Sequence, residues 1–275
     1  MSSVADQTGQ LSLLDRFNKQ KRRTIKRSGK RLMGLMSGII ARQSLVGDEP
    51  VLDNRHFPYL EPLSANWQAI RDEVREILKH REAVPTFQEV STDQKRISKD
   101  DNWRTFILYG FGEKAEKNCL RAPVTCTLLE QIPHLQTAWF SILAPGYHIP
   151  AHRGVSKGII RGHLGLIVPN DRQKCRMRVG DRICVWREGD VFVFDDTFEH
   201  EVWNETDEER VILLFDFDRP MGALGRLLNN AFLRLLKLTF FYREPLRRMQ
   251  SLEDRFETAV RQADTALEAM SESKS

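Results

Sequence analysis

Cysteine is scarce in this chain of 275 residues, and its four cysteines form no Cys-x-x-Cys pair of the kind found in zinc and redox motifs. No apolar secretory segment precedes them, which favours free thiols in a reducing compartment. The composition is 41% hydrophobic and 29% charged, which argues against a wholly disordered chain and against a small disulfide-stapled protein. We therefore expect a globular cytoplasmic protein. The cysteines are Cys119, Cys126, Cys175 and Cys184.

Long apolar runs are also missing. The segment from Leu32 to Ala41 holds ten uncharged residues, half of the roughly 20 that a membrane-spanning helix needs. A single-pass membrane anchor is therefore not expected.

Acidic residues are almost absent from two stretches, although the net charge of the whole chain is only +4. Arg16 to Arg31 carries nine Lys or Arg and no acid, and Arg219 to Arg248 carries seven against Glu244 alone. The rest of the chain is therefore net acidic. Nucleic acid is not the expected partner, because neither zinc-finger spacing nor an RRM-type aromatic strand accompanies the basic residues.

Both basic stretches continue into amphipathic segments, residues 16–42 and 221–248. Such segments are typical of helices in a lipid interface, where each cation near an anionic surface contributes about 1 kcal/mol. Peripheral contact with the inner face of a membrane is one expectation; packing on the domain or on a partner helix is the alternative. Beyond Gln250 the spacing predicts a further helix that frays into a polar tail. Apolar residues of the second segment at mostly helical spacing are Leu224, Leu227, Leu228, Phe232, Leu235, Leu236 and Leu238.

Two helices and a loop are expected between these arms. Ser64 to His80 carries an apolar stripe at helical spacing behind a cap at Ser64 or Asn66. Val84 to Asp101 is polar and irregular, which favours a loop over one face of the domain. Pro123 to Gln131 predicts a second short helix.

After Ile132 the chain becomes a succession of short β-type runs separated by turns. Spacing of about 8 to 12 residues with no intervening helix predicts an antiparallel jelly roll, or double-stranded β-helix, closed by helices at one end. The fold class is therefore mainly β with flanking helices and helical arms. The runs are TAWFSIL, GHLGLIV, KCRMRV, RICVW, DVFVFD, HEVWN and ERVILLFDF.

Histidines cluster in the same region, where five of the seven lie between residues 134 and 200. His152, His163 and His200 each lie at a strand edge, and imidazole is the commonest metal-binding side chain. A single histidine at such a position is more often a hydrogen-bonded structural residue. Arg161 lies two residues before His163, so the pleat places both side chains on one face.

Arg210 stands at the head of an apolar strand, where a guanidinium is costly to bury unless it meets an anion. Ser141, in another apolar run, could offer a hydroxyl to the same anion. The alternative is an ordinary ion pair of Arg210 with Glu208, Glu209 or Asp216, and residue spacing alone does not decide between the two.

These motifs together resemble the catalytic domain of the aspartyl/asparaginyl β-hydroxylases, which are iron(II)- and 2-oxoglutarate-dependent dioxygenases. The matching text runs from Trp139 to Pro220 and comes in the family's order. It reads WFSILAPG, PAHRG, RGHLGLIVP, WREGDVFVFDDTFEHEVWN and RVILLFDFDRP. Residues 57 to 132 resemble the family's lead-in more weakly, and the terminal arms lie outside the match.

The resemblance implies a role for each matched position. It makes His152 and His200 the iron ligands and gives Ser141, Arg161, His163 and Arg210 to 2-oxoglutarate, with Arg210 on the distal carboxylate; dioxygen is the other cosubstrate. Most related oxygenases have an acid two residues after the first histidine, but Gly154 stands there. The family often has glycine at that place, whereas its lipid A 2-hydroxylase branch tends to keep an acid. Asp195 and Asp196 are interpreted as a turn or cap, not as ligands.

The implied reaction is hydroxylation of an unactivated C–H bond. The arms favour a bacterial membrane lipid acyl chain as substrate, and the glycine at position 154 favours peptidyl Asp or Asn. A non-enzymatic membrane-associated interaction module is the third hypothesis; it would be expected to lack one of His152, His200 or Arg210, and all three are present. The expected domains are an N-terminal arm (1–50), the dioxygenase domain (51–220) and a C-terminal arm with a polar tail (221–275).

Overall fold

The structure, a computed structural model, describes residues 37–91, 97–98, 100–154, 156–237 and 240–272. Most of the predicted N-terminal arm lies outside these residues. Within them the strands are β1 (Val51–Leu52), β2 (Trp103–Gly110), β3 (Glu113–Lys114), β4 (Leu135–Leu143), β5 (His148–His152), β6 (Ile159–Ile167), β7 (Cys175–Val179), β8 (Arg182–Val185), β9 (Val191–Phe194), β10 (His200–Asn204) and β11 (Arg210–Asp218).

Two antiparallel sheets form the body of the protein. The larger has the strand order β1-β9-β6-β11-β4-β2-β3, and the smaller has the order β5-β10-β7-β8. Every strand predicted after Ile132 is present. From β4 onward the chain passes back and forth between the two sheets, except at β7 and β8, which form a hairpin within the smaller sheet. The predicted fold class, mainly β with flanking helices, is confirmed.

Alternation along β11 separates two hydrophobic cores. The odd-numbered residues from 211 to 217 pack in the core between the large sheet and the helices, whereas residues 212 and 214 pack between the two sheets. Neighbouring strands follow the same division, because directly paired residues in a sheet point to the same face. Ser141 pairs with Ile212, and His163 pairs with Leu214. Both polar residues therefore face the interior between the sheets.

The helices cover the outer face of the large sheet and its ends. The α-helices are α1 (Glu61–Ala65), α2 (Trp67–Leu78), α3 (Phe87–Val90), α4 (Glu116–Arg121), α5 (Pro123–Leu129), α6 (Ala223–Lys237) and α7 (Phe240–Glu272). Three 3-10 turns (Asn54–His56, Pro58–Leu60, Arg81–Ala83) connect them, and residues 37–43 are helical. Among the described residues, every helix is too short or too polar to serve as a transmembrane span.

The predicted helix of residues 64–80 is α2, and its apolar stripe packs on the large sheet through Ile70, Val74 and Ile77. Asn66 precedes the first turn, but its side chain donates to the Pro62 carbonyl and caps nothing. Ser64 belongs to α1. The predicted loop after Val84 contains the short helix α3, which opens with a Thr86–Glu89 capping box.

Strand β2 is an element that the sequence analysis did not predict. It lies between β4 and the two-residue strand β3 in the large sheet, and seven of its eight residues are buried. A strand buried on both faces shows no polar–apolar alternation, so its periodic signal is missing.

The C-terminal arm divides into two parts. In α7, Met249, Phe256 and Val260 are buried against the domain. The Glu253 carboxylate accepts hydrogen bonds from the backbone N–H groups of Lys117 and Asn118, at 3.0 and 3.1 Å, in the first turn of α4. This part of the arm is therefore a packed helix.

Candidate active site

His152 and His200 lie side by side on adjacent strands of the small sheet. His152 ends β5, His200 begins β10, and the two are direct partners in the β5–β10 pairing. Their ring centroids are 4.1 Å apart and the ring planes are tilted by 57°. The two imidazoles are near enough to share one ion, although 47 residues of chain separate them.

Backbone carbonyls select the tautomer of both rings. The His152 Nδ1–H donates to the Pro150 carbonyl at 2.8 Å, and the His200 Nδ1–H donates to the Phe198 carbonyl at 2.9 Å. Each Nε2 therefore carries the lone pair that a metal binds, an arrangement common among metal-ligating histidines. Burial, with the charge of nearby His152 as a smaller cause, lowers the pKa of His200 to about 3. His200 is consequently neutral near pH 7.

The Nε2 of His200 is buried and makes no hydrogen bond within the described part of the chain. An unpartnered buried nitrogen is costly unless a ligand takes it up, so this atom fits a bound metal ion. Among the described residues, no group of three or more His, Cys, Asp or Glu side chains is arranged to hold a metal. His152 and His200 are therefore the candidate metal ligands in this part of the chain.

Asp196 occupies the space beside Gly154. A Cβ added at Gly154 would overlap the Asp196 carboxylate, so a side chain at position 154 requires that carboxylate to move. Burial raises the pKa of Asp196 to about 6, while Arg161, at 3.5 Å, acts in the opposite direction. The acid next to the histidine pair is therefore supplied by the turn before His200 and not by position 154.

Asp195, the residue before Asp196, is the turn residue that the sequence predicted, and its carboxylate also forms buried ion pairs. Its carboxylate accepts from the backbone N–H and the hydroxyl of Thr197, at 2.9 and 2.6 Å. It also pairs with Arg219, both side chains being fully buried, and with the Lys157 Nζ at 2.9 Å. Arg219 in turn donates to the Lys157 carbonyl and the Gly47 carbonyl. This network joins the connection after His152 to the turn before His200.

Arg210 is the buried cation of the site. It is 2% exposed, and its guanidinium lies 4.8 Å from the centre of the Trp186 ring. Its Nε finds no hydrogen-bond partner among the residues that the structure describes. Burial lowers the pKa of Arg210 to about 10. The arginine nevertheless stays protonated near pH 7, as a buried positive charge.

The ordinary ion pairs considered for Arg210 are excluded, because each candidate acid has another partner. Glu209 pairs with Arg81 at 2.5 Å, Glu208 accepts from Asn170, and Asp216 pairs with Arg161 at 2.6 Å. Within the described ranges no ion pair of Arg210 is found. A buried guanidinium without a carboxylate fits an anionic ligand that comes from outside the chain.

His163 and Ser141 lie on the strands that flank β11, on the face that carries Arg210. The Trp186 Nε1–H donates to the His163 Nδ1 at 3.4 Å, so the neutral ring carries its proton on Nε2, which is buried and unpartnered. Burial, aided by Arg161 and Arg210, holds the pKa of His163 well below its ordinary value. Ser141 accepts from the Trp103 Nε1–H at 3.0 Å and keeps its own proton to donate.

Arg161 shares a face with His163, as the pleat predicts, but its donors are largely occupied. Its Nε and one terminal nitrogen bind the two carboxylate oxygens of Asp216 at 2.6 and 2.9 Å. Burial acts to lower the pKa of Arg161, but the carboxylates of Asp216 and Asp196 outweigh it and raise the pKa. A role for Arg161 toward 2-oxoglutarate remains a prediction.

The structure thus brings all six predicted residues to the interior between the sheets or its rim, and it adds others that the sequence analysis missed. Trp186 contacts both Arg210 and His163, and Trp103 holds Ser141. Unpartnered buried polar atoms also face this interior at Thr105 and Trp139. Trp103 and Thr105 lie on β2, whose lack of alternation hid them. Trp186 stands at the head of the matched text WREGDVFVFDD, but nothing in that pattern assigned it a contact with Arg210 or His163.

Comparison with known proteins shows the family to which the chain belongs. The sequence profile of the family described as aspartyl/asparaginyl beta-hydroxylase matches residues 64–220. The ornithine lipid ester-linked acyl 2-hydroxylase of Rhizobium tropici is 44% identical over 211 residues, covering 77% of this chain and 75% of that protein.

Other matches cover a smaller part of this chain. The human aspartyl/asparaginyl beta-hydroxylase is 32% identical over 166 residues, which are 58% of this chain. This chain spans about a fifth of that protein, 21% of its length. A solved oxidoreductase of the 2OG-Fe(II) oxygenase family from Burkholderia pseudomallei superposes with a TM-score of 0.34 and 16% identity, over 44% of this chain and 67% of its own. The profile match and the Rhizobium relative show that this chain belongs to the aspartyl/asparaginyl β-hydroxylase family.

Proposed function

We propose that this protein is an Fe(II)- and 2-oxoglutarate-dependent hydroxylase whose substrate is an acyl chain of a bacterial membrane lipid. The observation that carries the chemistry is the histidine pair, with tautomers set by backbone carbonyls and a buried, unpartnered Nε2 on His200. The buried Arg210 supports a dianionic cosubstrate. The non-enzymatic hypothesis is not favoured, because a mere scaffold has no need to bury a guanidinium without a counter-charge.

Each residue then has a defined task. His152 and His200 would hold the iron through Nε2, and Arg210 would bind the distal carboxylate of 2-oxoglutarate by charge-assisted hydrogen bonds. The hydroxyl of Ser141 and the Nε2–H of His163 would donate to the same cosubstrate. With 2-oxoglutarate and dioxygen, the bound metal supplies the oxidising power that inserts one oxygen into a C–H bond. The aromatic side chains around Arg210 exclude water, which strengthens its attraction for an anion.

The lipid substrate is supported by the degree of similarity. The Rhizobium tropici relative is named as acting on ornithine lipid, and the match covers about three quarters of each chain. The match to the human relative covers 58% of this chain and 21% of the human protein. Peptidyl Asp or Asn is the second candidate, favoured by Gly154 and the adjacent Asp196. We propose a cytoplasmic location with peripheral contact at the inner face of the membrane.

The test is an assay with purified full-length protein, Fe(II), 2-oxoglutarate and air. Ornithine lipid or lipid A in mixed micelles and a pool of Asp- and Asn-containing peptides serve as substrates. We expect a hydroxyl group on the lipid acyl chain and one succinate per oxygen inserted, both measured by mass spectrometry. His200→Ala should abolish both products, while His56→Ala, a change at an exposed histidine, should leave them unchanged.

Either part of the proposal can fail separately. Oxygen gain in the peptide pool alone would reverse the choice of substrate and keep the chemistry. Full iron-dependent turnover by His200→Ala would remove the metal assignment.

A further inference from the structure

Four large aliphatic side chains are exposed where the chain passes between the catalytic domain and its arms. Leu45 and Leu227 are each 67% exposed, Leu224 is 55% exposed and Ile39 is 39% exposed. Single exposed leucines are common on soluble proteins, but a group of them on one part of the surface indicates a binding site.

Backbone contacts place these residues together. Ser44 pairs with Met221 in an antiparallel bridge, and the Leu45 N–H donates to the Pro220 carbonyl at 3.0 Å. The Gly222 N–H donates to the Gln43 carbonyl at 2.9 Å. These contacts, and the close approach of Gln43 to Gly225, hold residues 43–45 against the start of α6. Leu45 therefore lies beside the first turns of α6, and Ile39 belongs to the short helix (residues 37–43) that leads to this contact. We call this surface, made of Ile39, Leu45, Leu224 and Leu227, the apolar face.

The helical part of the apolar face carries charge of one sign, whereas two exposed acids, Asp48 and Glu49, follow Leu45. Helix α6 contains no Asp or Glu, and Arg226 and Arg234 are exposed on it. Leu224, Leu227 and the exposed Ala231 recur at intervals of three and four residues, so they form one stripe of the helix. An apolar stripe flanked by cations is the pattern of a helix that lies in the interface of an anionic bilayer.

The apolar face is also connected to the histidine pair. The buried Asn229 of α6 donates to the Gly158 carbonyl at 3.4 Å, and Arg219 donates to the Lys157 carbonyl at 2.7 Å. Both carbonyls belong to the connection that leads from His152 to β6. Helix α7 is packed on the domain through Met249, Phe256 and Val260. Among the residues of the C-terminal arm whose side chains the structure describes, the exposed leucines are therefore Leu224 and Leu227 of the apolar face.

We propose that the apolar face, with Arg226 and Arg234, binds the surface of an anionic bilayer and holds the histidine pair close to the acyl chains. The second half of this statement rests on the proposed function. Burial of the leucines supplies the apolar part of the binding energy, and the two arginines supply a part that salt screens.

The experiment is flotation of full-length protein with vesicles of phosphatidylcholine, alone or mixed with phosphatidylglycerol. Wild type should float with the anionic vesicles, and less so at high salt. Leu224→Ser/Leu227→Ser should bind at least about tenfold more weakly. The matched control, Leu120→Ser/Ile183→Ser, removes two aliphatic side chains that are 80% and 58% exposed elsewhere, and it should float as wild type does. Arg226→Glu/Arg234→Glu should lose preference for the anionic vesicles.

Three outcomes would overturn the proposal. In the first, the Leu224/Leu227 variant floats as well as the Leu120/Ile183 control does. In the second, the Leu224/Leu227 variant has a different sedimentation mass from wild type but floats equally, which would assign the face to a second copy of the chain. In the third, wild type does not bind vesicles at all. Thermal unfolding of each variant checks that its fold is intact.

A separate readout distinguishes failure of the surface from failure of the proposed function. If the Leu224/Leu227 variant hydroxylates lipid as well as wild type does, both in micelles and in vesicles, the surface assignment fails and the proposed function stands. If no lipid is hydroxylated but flotation still depends on the two leucines, the function fails and the surface stands.

Discussion

Replacing Arg210 with methionine should make the ligand-free protein more stable and the enzyme incapable of holding its cosubstrate. Burial lowers the pKa of Arg210 to about 10. An arginine has an ordinary pKa of at least about 12.5 and each pKa unit corresponds to about 1.36 kcal/mol, so the charge costs the fold about 3 kcal/mol. Because the pKa of the folded state lies below that of the unfolded state, the cost is present at every pH below about 10 and is relieved only above it. Methionine fills similar space without a charge.

The assay combines chemical denaturation with a ligand titration. The free energy of unfolding of Arg210→Met should exceed that of wild type by up to about 3 kcal/mol, as found where buried ionic groups are replaced by apolar ones. Added 2-oxoglutarate should raise the melting temperature of wild type and leave the variant unchanged, since only wild type retains the charge-assisted hydrogen bonds. Trp186, 4.8 Å from the guanidinium, offers a fluorescence signal for the same titration.

A matched control is available on the outer face of the small sheet, where Arg176 lies 5.1 Å from the centre of the Trp203 ring and pairs with Glu205. Arg176→Met should change the free energy of unfolding by less than about 1 kcal/mol and leave 2-oxoglutarate binding intact. The reasoning is refuted if Arg210→Met destabilises the ligand-free protein or binds 2-oxoglutarate as tightly as wild type.

Two further variants test the packing around the histidines. Gly154→Ala should lower the free energy of unfolding by about 1–3 kcal/mol through overlap with the Asp196 carboxylate. Adding Asp196→Gly should recover most of that loss. The control is Gly38→Ala, whose added methyl group meets no neighbouring atom and should not lower the free energy of unfolding. Equal effects of the two alanines in urea denaturation would contradict the overlap. Arg219→Met should cost about 3 kcal/mol by leaving the buried Asp195 carboxylate without its main partner. Adding Asp195→Asn should cost less than the sum of the two single changes, and strict additivity would show that the two side chains do not interact.

Much of the architecture could be predicted from local patterns. Strands β4 and β6 to β11 carry β-branched or aromatic runs bounded by turn residues, and α2 carries a clear helical stripe. Strands β1, β2, β3 and β5 were not predicted. Strand β2 shows no alternation, and β1 and β3 span only two residues. Strand β5 (HIPAH) is interrupted by a proline, although its His152 was expected at a strand edge. Trp103 and Thr105 were missed with β2, since a residue cannot be placed beside Ser141 until its strand is known.

The alternatives for Arg210 show where local pattern stops being informative. Glu209 is its nearest neighbour in sequence, but adjacent residues in a strand point to opposite faces, and Glu209 pairs with Arg81 instead. Asp216 lies on the same face of β11 as Arg210, but it is matched with Arg161 in the register between β6 and β11. Register is a long-range property, so no spacing along the chain could have shown which cation each acid meets.

The sequence by itself determined the succession of most strands along the chain, the places of His152, His200 and Arg210 at strand ends, and, through the resemblance to a family, the chemistry expected of them. His163 was expected at a strand edge as well, but it lies in the middle of β6. Tertiary structure alone decided that His152 and His200 are direct partners on adjacent strands, that Asp196 fills the space beside Gly154, and that Arg210 is buried without an ion pair to any described residue. The reason is physical. Hydrophobic periodicity shows which face of a strand or helix a residue occupies. A binding site depends on which of these faces come together in the fold. That is decided only when strands far apart in the chain pair and exclude water.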